Sequence, residues 1–240
     1  IVPSLITARL KRKSAIYEII DFYEWRLPRI VRAACLGLDK LFMHLADAVI
    51  IADEAQIKLV GGIPNRNISM IYDSPPDTFR QKDGGYLDNQ TKGNFTMFYA
   101  GALYQNRRLN LDKVVEVIKD IEGVNLTIAG YGDLVDEIKE WSSGLPGKVG
   151  FIDKISYKEV IERGLKANLF FILRDSIVPT NRYTCGSNLF NAMICGKPIL
   201  ANKGSSTAAK VHDENCGLAV DANNIGEIGE AIIKLRDNPQ

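Results

Sequence analysis

Several ingredients are scarce in this chain of 240 residues, and each scarcity removes a class of function. Cysteine occurs four times, as Cys35, Cys185, Cys195 and Cys216, with neither CxxC nor Cys/His spacing. Neither a disulfide framework nor a zinc site is expected, and a reduced, cytoplasmic setting is the simplest reading. Only two histidines occur, His44 and His212, too far apart in sequence to suggest a metal centre. Their helical contexts predict partly buried structural roles. No run of about 18 apolar residues is present, so no membrane-spanning helix is expected, and the start lacks the pattern of a signal peptide. Charge of either sign is not in excess: 30 basic and 29 acidic residues leave a net charge of +1. No global field draws the chain to nucleic acid. A G-x-G-x-x-G turn with an acid about 20 positions later is missing, which argues against a dinucleotide-dependent dehydrogenase. The absence of GxxxxGK[ST] argues against a P-loop triphosphatase.

What remains is a globular composition, 46% hydrophobic and 25% charged, long enough for one large domain or two modest ones. From Phe95 onward, short β-rich apolar runs alternate with helical periodicity: FTMFYAG, VNLTIAG, VGFI, ANLFFIL, PILA and GLAV. Strands that are apolar throughout and separated by helices predict parallel βαβ units in a doubly wound α/β sheet. Leu111, Val114, Val115 and Ile118 share one helix face, as do Leu134, Val135 and Ile138, then Tyr157, Val160 and Ile161, then Ile225, Ile228 and Ile232. These are read as core positions.

The first part of the chain is less regular but still α/β. It offers a strand at 15–20, a helix at 28–45, a strand at 48–51, a short helix and a strand at 68–72. Ile30, Ala34, Leu41, Phe42 and Leu45 form an apolar helix face expected to dock on the core, with Arg29, Arg32 and Lys40 elsewhere on the helix. A basic amphipathic helix also suits the surface of an anionic membrane. Residues 74–93, rich in Pro, Gly, Asp and Asn, read as a linker between residues 1–73 and a second domain at 94–240. The chain opens on Ile1, and nothing before Ala15 reads as a first core strand, so the sequence is expected to begin inside a longer protein.

The most informative stretch is 184–201, TCGSNLFNAMICGKPILA. A polar, glycine-containing turn opens a helix that stops at Gly196 and drops through Pro198 into an apolar strand. Unpaired N–H groups and the positive end of the helix dipole make such a turn suited to a phosphate. Cys185 lies in this turn and is read as a small residue without a catalytic role.

This stretch resembles the donor-site helix of the retaining glycosyltransferases of family four, which have the GT-B fold and use nucleotide-sugar donors. Ala192, Met193, Cys195, Gly196, Lys197 and Pro198 match the family frame closely. The positions of its two glutamates hold Tyr183 and Asn191, and Asn188 stands where a subset carries lysine. The resemblance continues through Ala46 to Val49 and IIADE, FYAGALYQNRR, LTIAGYGDLVDEI, VGFIDKISYKEV and GLAVDANNIGEIGEAIIKL. It implies a Rossmann-like C-terminal half of a GT-B fold preceded by a remnant of the N-terminal acceptor-side domain.

The resemblance also implies roles. The donor would be a nucleotide diphosphate sugar, with no metal and no other cofactor, and the acceptor a glycan or lipid-linked hydroxyl compound. Arg107 and Arg108 would face the diphosphate, where guanidinium groups stabilise the charge that builds on the leaving phosphate. Gly101, Gly130 and Gly132 would let backbone approach the ligand, Gly186, Ser187, Asn188 and Leu189 would present the helix N-terminus, and Phe151 and Ile152 would border the base. Tyr183 would lie near the transferred sugar. Asn191 would meet the ribose with one carbonyl acceptor and no charge, which predicts weaker ribose binding. Asp21 is a candidate on the acceptor side, with a turn carboxylate as its structural reading. Two other readings are a non-catalytic GT-B-like subunit, suggested by the missing acids, and a sugar-nucleotide epimerase.

Overall fold

The computed structural model describes residues 2–19, 27–65, 67–76 and 94–238. The chain divides into two compact units: residues 1–73 with 177–185, and residues 74–176 with 186–240. The sequence reading placed 177–185 with the second part of the chain, and nothing in its composition marks it as belonging to the first. Most of the expected linker, residues 77–93, lies outside the described residues.

The first unit begins with α1 (Val2–Leu10), then β1 (Ile16–Ile19), α2 (Arg29–Leu45), β2 (Ala48–Ile51), α3 (Ala55–Leu59) and β3 (Ile68–Met70). Among the described residues its sheet has three parallel strands in the order β1-β2-β3, in register from Ile16 opposite Ala48 and Val49 opposite Ile68. Ile19, Met43, Val49, Ile51 and Val60 make its small core. Asp47 ties the start of β1 to the end of α2. Its carboxylate accepts the Ala15 N–H at 2.8 Å and faces Arg9 at 3.3 Å. The Ala15 hydrogen bond, with help from Arg9, holds this carboxyl below the usual range.

Helix α2 is turned away from the expectation. Ile30 is 86% exposed, Leu41 49% and Leu45 42%, Ala34 is exposed, and Phe42 is only partly covered. The side facing the unit carries fully buried Met43, with Tyr17 donating to Asp39 at 2.8 Å and Lys40 to the Gly61 carbonyl at 3.0 Å. The helix has two partly apolar stripes, and the polar partners on the sheet side select the one that includes Asp39 and Lys40. Both histidines are exposed rather than partly buried: His44 reaches the Pro64 carbonyl at 3.3 Å, and His212 adjoins Asp213.

The second unit contains β4 (Phe95–Ala102), α4 (Leu111–Ile118), β5 (Val124–Tyr131), α5 (Val135–Gly144), β6 (Val149–Ile152), α6 (Tyr157–Lys166) and β7 (Leu169–Ile172). The chain then contributes α7 (Pro179–Tyr183) to the first unit. It returns as α8 (Ser187–Ile194), β8 (Ile199–Asn202), α9 (Ser206–Asp213), β9 (Gly217–Val220) and α10 (Ile225–Asp237). Among the described residues these strands form a six-stranded parallel sheet ordered β6-β5-β4-β7-β8-β9. This is the doubly wound α/β arrangement expected from the alternation of apolar runs. Alternate strand residues Met97, Tyr99, Leu126, Ile128, Leu169 and Phe171 join α4 and α10 in one core. The intervening Phe98 and Phe170 meet edge to face at 5.5 Å. Helices α6 and α8 pack together, both against β4, and α8 also covers β7. The expected faces of α4 and α10 are buried except for Ile225, at 40% exposure.

The return segment is held in the first unit by Asp53. This side chain is 3% exposed and accepts N–H groups from Ala55 and Cys185, each at 2.8 Å. Asp53→Ala removes the carboxylate that accepts the Cys185 N–H in a buried setting and should cost about 2 kcal/mol. Hydrogen exchange at the Cys185 amide tests this: faster exchange is expected, and unchanged protection would dismiss Asp53 as the anchor.

Candidate functional site

In an open α/β sheet, ligands collect beyond the carboxyl ends of the strands, where successive connections leave toward opposite faces. Here that point lies between β4 and β7. The chain leaves β4 for α4 on one face, and the end of β7 lies under α8 on the other.

The segment after β4 is short and strained. A 3-10 turn at Gln105–Arg107 is followed by Arg108 at φ 47° and Asn110 at φ 53°. A left-handed backbone is tolerable for Asn and costly for Arg, so something must hold Arg108 there. Three bonds to the end of β7 do so. The Asp175 N–H donates to the Arg108 carbonyl at 3.0 Å. The Arg108 guanidinium donates to the Asp175 carboxylate at 2.8 Å, and the Asn110 amide donates to the Leu173 carbonyl. The ion pair is 57% and 24% exposed on its two sides and contributes less than about 1 kcal/mol by itself. Its effect is to fix where the loop goes. Arg108 is thus committed to Asp175, while Arg107, half-buried at the end of the 3-10 turn, occupies the rim.

The three glycines differ. A Cβ at Gly130 would fall 1.9 Å from the Gly101 carbonyl oxygen, and one at Gly132 would fall 2.2 Å from that of Leu103. All three share a positive φ, 156° at Gly101, 155° at Gly130 and 152° at Gly132, so they differ in what surrounds them. Gly130 and Gly132 let β5 pass close to β4 and the start of its loop. At Gly101 the nearest atom to a Cβ would be the Tyr99 hydroxyl, 3.6 Å away. That hydroxyl is buried and has no partner among the described residues.

Across the crevice stands the first turn of α8. Gly186 is its N-cap, buried and without a side-chain cap; Ser187 is exposed, and Leu189 is fully buried in the core. Asn188 and Asn191 are 3% and 4% exposed and face each other, with the Asn191 amide donating to Asn188 Oδ1 at 3.5 Å. Tyr157, from the start of α6, donates its hydroxyl to Asn191 Oδ1 at 2.7 Å. Helical spacing alone predicts a core position for Tyr157. Its ring is 42% exposed and its hydroxyl is spent on the helix turn. Ser156 and Glu159 cap α6 reciprocally and so fix where Tyr157 starts. The hydrogen bonds from Ser156 keep the Glu159 carboxyl below its usual range.

Arg174, two residues beyond β7, was not singled out in the sequence because a lone arginine after a strand carries no pattern. Its Nη1 lies 3.5 Å from where a Cβ on Gly186 would be, and its Nε is buried without a partner among the described residues. Phe151 and Ile152 sit half-buried on β6, the edge strand two places from β4, with Lys139 Nζ 5.9 Å from the centre of the Phe151 ring. Tyr183 ends α7 in the first unit, where Arg182 stacks over its ring at 5.5 Å. Asp21 lies outside the described residues. Cys195, behind the helix, is buried, and burial pushes its thiol up to about 11. It stays protonated at neutral pH and is chemically quiet.

The family model for glycosyl transferases group 1 matches residues 88–240. The chain belongs to that family. An uncharacterized glycosyltransferase of Methanocaldococcus jannaschii is 29% identical over 159 residues, covering 63% of this chain and 38% of that protein. A second from the same organism is 25% identical over 156 residues, covering 64% and 41%. HepE from Anabaena, solved in complex with UDP, superposes with a TM-score of 0.77 at 16% identity, covering 99% of this chain and 66% of HepE. Sucrose-phosphate synthase from Thermosynechococcus elongatus gives 0.70 at 15% identity, covering 98% of this chain and 62% of that one. These likenesses establish the GT-B fold. The matches take in 38% and 41% of the curated relatives and 66% of HepE, so this chain spans less than two thirds of each.

Two substitutions test the geometry. Gly130→Ala should cost about 3 kcal/mol from its backbone clash and positive φ, seen as a lowered urea midpoint without any ligand. A stability equal to that of the parent would return Gly130 to the ligand side. Tyr157→Phe leaves Asn191 Oδ1 short of its donor and should cost about 1 kcal/mol by the same measurement; no loss would show that the bond carries nothing.

Proposed function

We propose that this chain forms mainly the donor-binding half of a retaining glycosyltransferase, which moves a sugar from a nucleotide diphosphate sugar to a glycan or lipid-linked acceptor without a metal. The observation that supports this reading is the crevice between β4 and β7. A loop tied in place and an uncapped helix N-terminus flank it, in a chain that belongs to the glycosyl transferases group 1 family. HepE has been solved in complex with UDP and with UDP-glucose, which makes UDP the first nucleotide to try.

The donor diphosphate would lie against the first turn of α8, where N–H groups and the helix dipole favour negative charge. Charge grows on that phosphate as the glycosidic bond breaks, so fixed donors aimed at it lower the barrier more than they tighten the ground state. The departing phosphate can itself take the proton from the acceptor hydroxyl on the same face, so no protein nucleophile is assigned. Gly101 would leave room for the ligand beside β4, and Arg107 would reach it from the rim. The exposed stripe of α2, with Ile30, Leu41 and Leu45 beside exposed Arg29, favours a lipid-linked acceptor approached at a membrane surface.

A second reading has its own observation. With Tyr183 and Asn191 at the two acid positions, and the Asn191 carbonyl occupied by Tyr157, the ribose subsite has no carboxylate. A binding subunit without turnover would tolerate this.

Calorimetry against UDP, GDP and their sugar conjugates, followed by a transfer assay on the same protein, separates the readings. Binding with transfer supports the enzyme, binding without transfer supports the subunit, and release of an altered free sugar without acceptor would point to an epimerase. Arg107→Ala should weaken diphosphate binding about tenfold while sparing the nucleoside. Equal loss for both would remove Arg107 from the site.

A further inference from the structure

Resting on the donor-site reading above, we propose that Arg174 supplies the principal cation for the donor diphosphate, from beneath the N-terminus of α8. Among the arginines on the crevice, Arg108 is committed to Asp175 at 2.8 Å. Arg174 has no acceptor for its guanidinium among the described residues, and its Nε is buried. An arginine that gives up water at one nitrogen without gaining a protein partner is costly to keep, and an anion bound at the same place removes that cost.

Geometry gives the anion its place. The guanidinium lies against Gly186, with Cζ 3.7 Å and Nη1 3.5 Å from the point where a Cβ would be. Gly186 is the N-cap of α8 and has no capping side chain. An alanine Cβ at 186 would meet the guanidinium at ordinary contact distance and Ile172 Cδ1 at 3.3 Å, whereas a longer side chain would crowd the guanidinium or cover the turn. A second polar group belongs to the same turn: Asn188 is 3% exposed, its oxygen takes the Asn191 amide, and its own amide donates to none of the described residues. Helix N–H groups, an unpaired amide and an unpaired guanidinium thus occupy one turn. That donor set matches the several oxygens of a diphosphate better than a single carboxylate.

The position of Arg174 is secured independently of any ligand. Its carbonyl accepts the Asn202 amide at 2.9 Å, and the next residue, Asp175, is bonded to Arg108 through main chain and side chain. The side chain is thus carried by a backbone fixed on both sides.

The test is calorimetric titration of the whole chain and its Arg174→Gln and Arg174→Lys variants with UDP, with uridine and with inorganic pyrophosphate. Arg174→Gln should weaken UDP and pyrophosphate at least tenfold and leave uridine unchanged. Arg174→Lys should recover part of the loss, since the charge returns without the planar fork. A variant with parent-like UDP affinity, or one that loses UDP and uridine equally, overturns the assignment of Arg174 while leaving the donor site in place. A parent protein that binds neither UDP nor GDP overturns both. If Arg174→Gln proves unfolded by circular dichroism, the Lys variant decides the matter through the same ratio of UDP to uridine affinity.

Discussion

The fastening of the loop after β4 to the end of β7 is the constraint on which the crevice depends. Arg108 and Asn110 adopt left-handed backbones that would relax if released, and the Asp175 and Leu173 backbone groups are what they hold. A parallel sheet supplies the divergence of connections at its switch point without any such tie. The tie turns that divergence into a fixed opening with one arginine spent on architecture and another, Arg174, left over. Because the arginine side of the ion pair is open to solvent, its contribution lies in direction rather than in energy.

The first turn of α8 is organised by a neutral relay. Tyr157 donates to Asn191, and Asn191 donates to Asn188, all in or beside a turn that is almost wholly covered. Neutral amides can be buried there without the desolvation that an unpaired carboxylate or ammonium would demand. Asn188 and Asn191 therefore stay compatible with each other: a carboxylate at one position alone would lack the cation that a lysine at the other could provide.

Much of the second unit was legible because buried parallel strands read as uninterrupted apolar runs, and each of FTMFYAG, VNLTIAG, VGFI and ANLFFIL became a strand of the sheet. The uncapped turn at Gly186 was legible from its polar residues and the helix that follows. Periodicity failed where it had two answers. Helix α2 has two partly apolar stripes, and the choice between them was made by Asp39 and Lys40 finding partners on Tyr17 and Gly61. Tyr157 fell on an apolar face by spacing, but its hydroxyl outweighed its ring. Arg174 gave no signal, since its surroundings come from Gly186, beyond the excursion of residues 177–185 and adjacent in space. Gly130 and Gly132 were visible as special but for a different reason: they admit a neighbouring backbone.

Residues 177–185 leave the second unit, pack in the first with Asp53 as their anchor, and return one residue before the N-cap of α8. The chain accordingly crosses between its units three times. Such a protein cannot be cut near residue 74 into two self-sufficient halves, because the latter would keep nine residues whose anchor went with the former. Asp53 therefore anchors the residue that directly precedes the N-cap of α8.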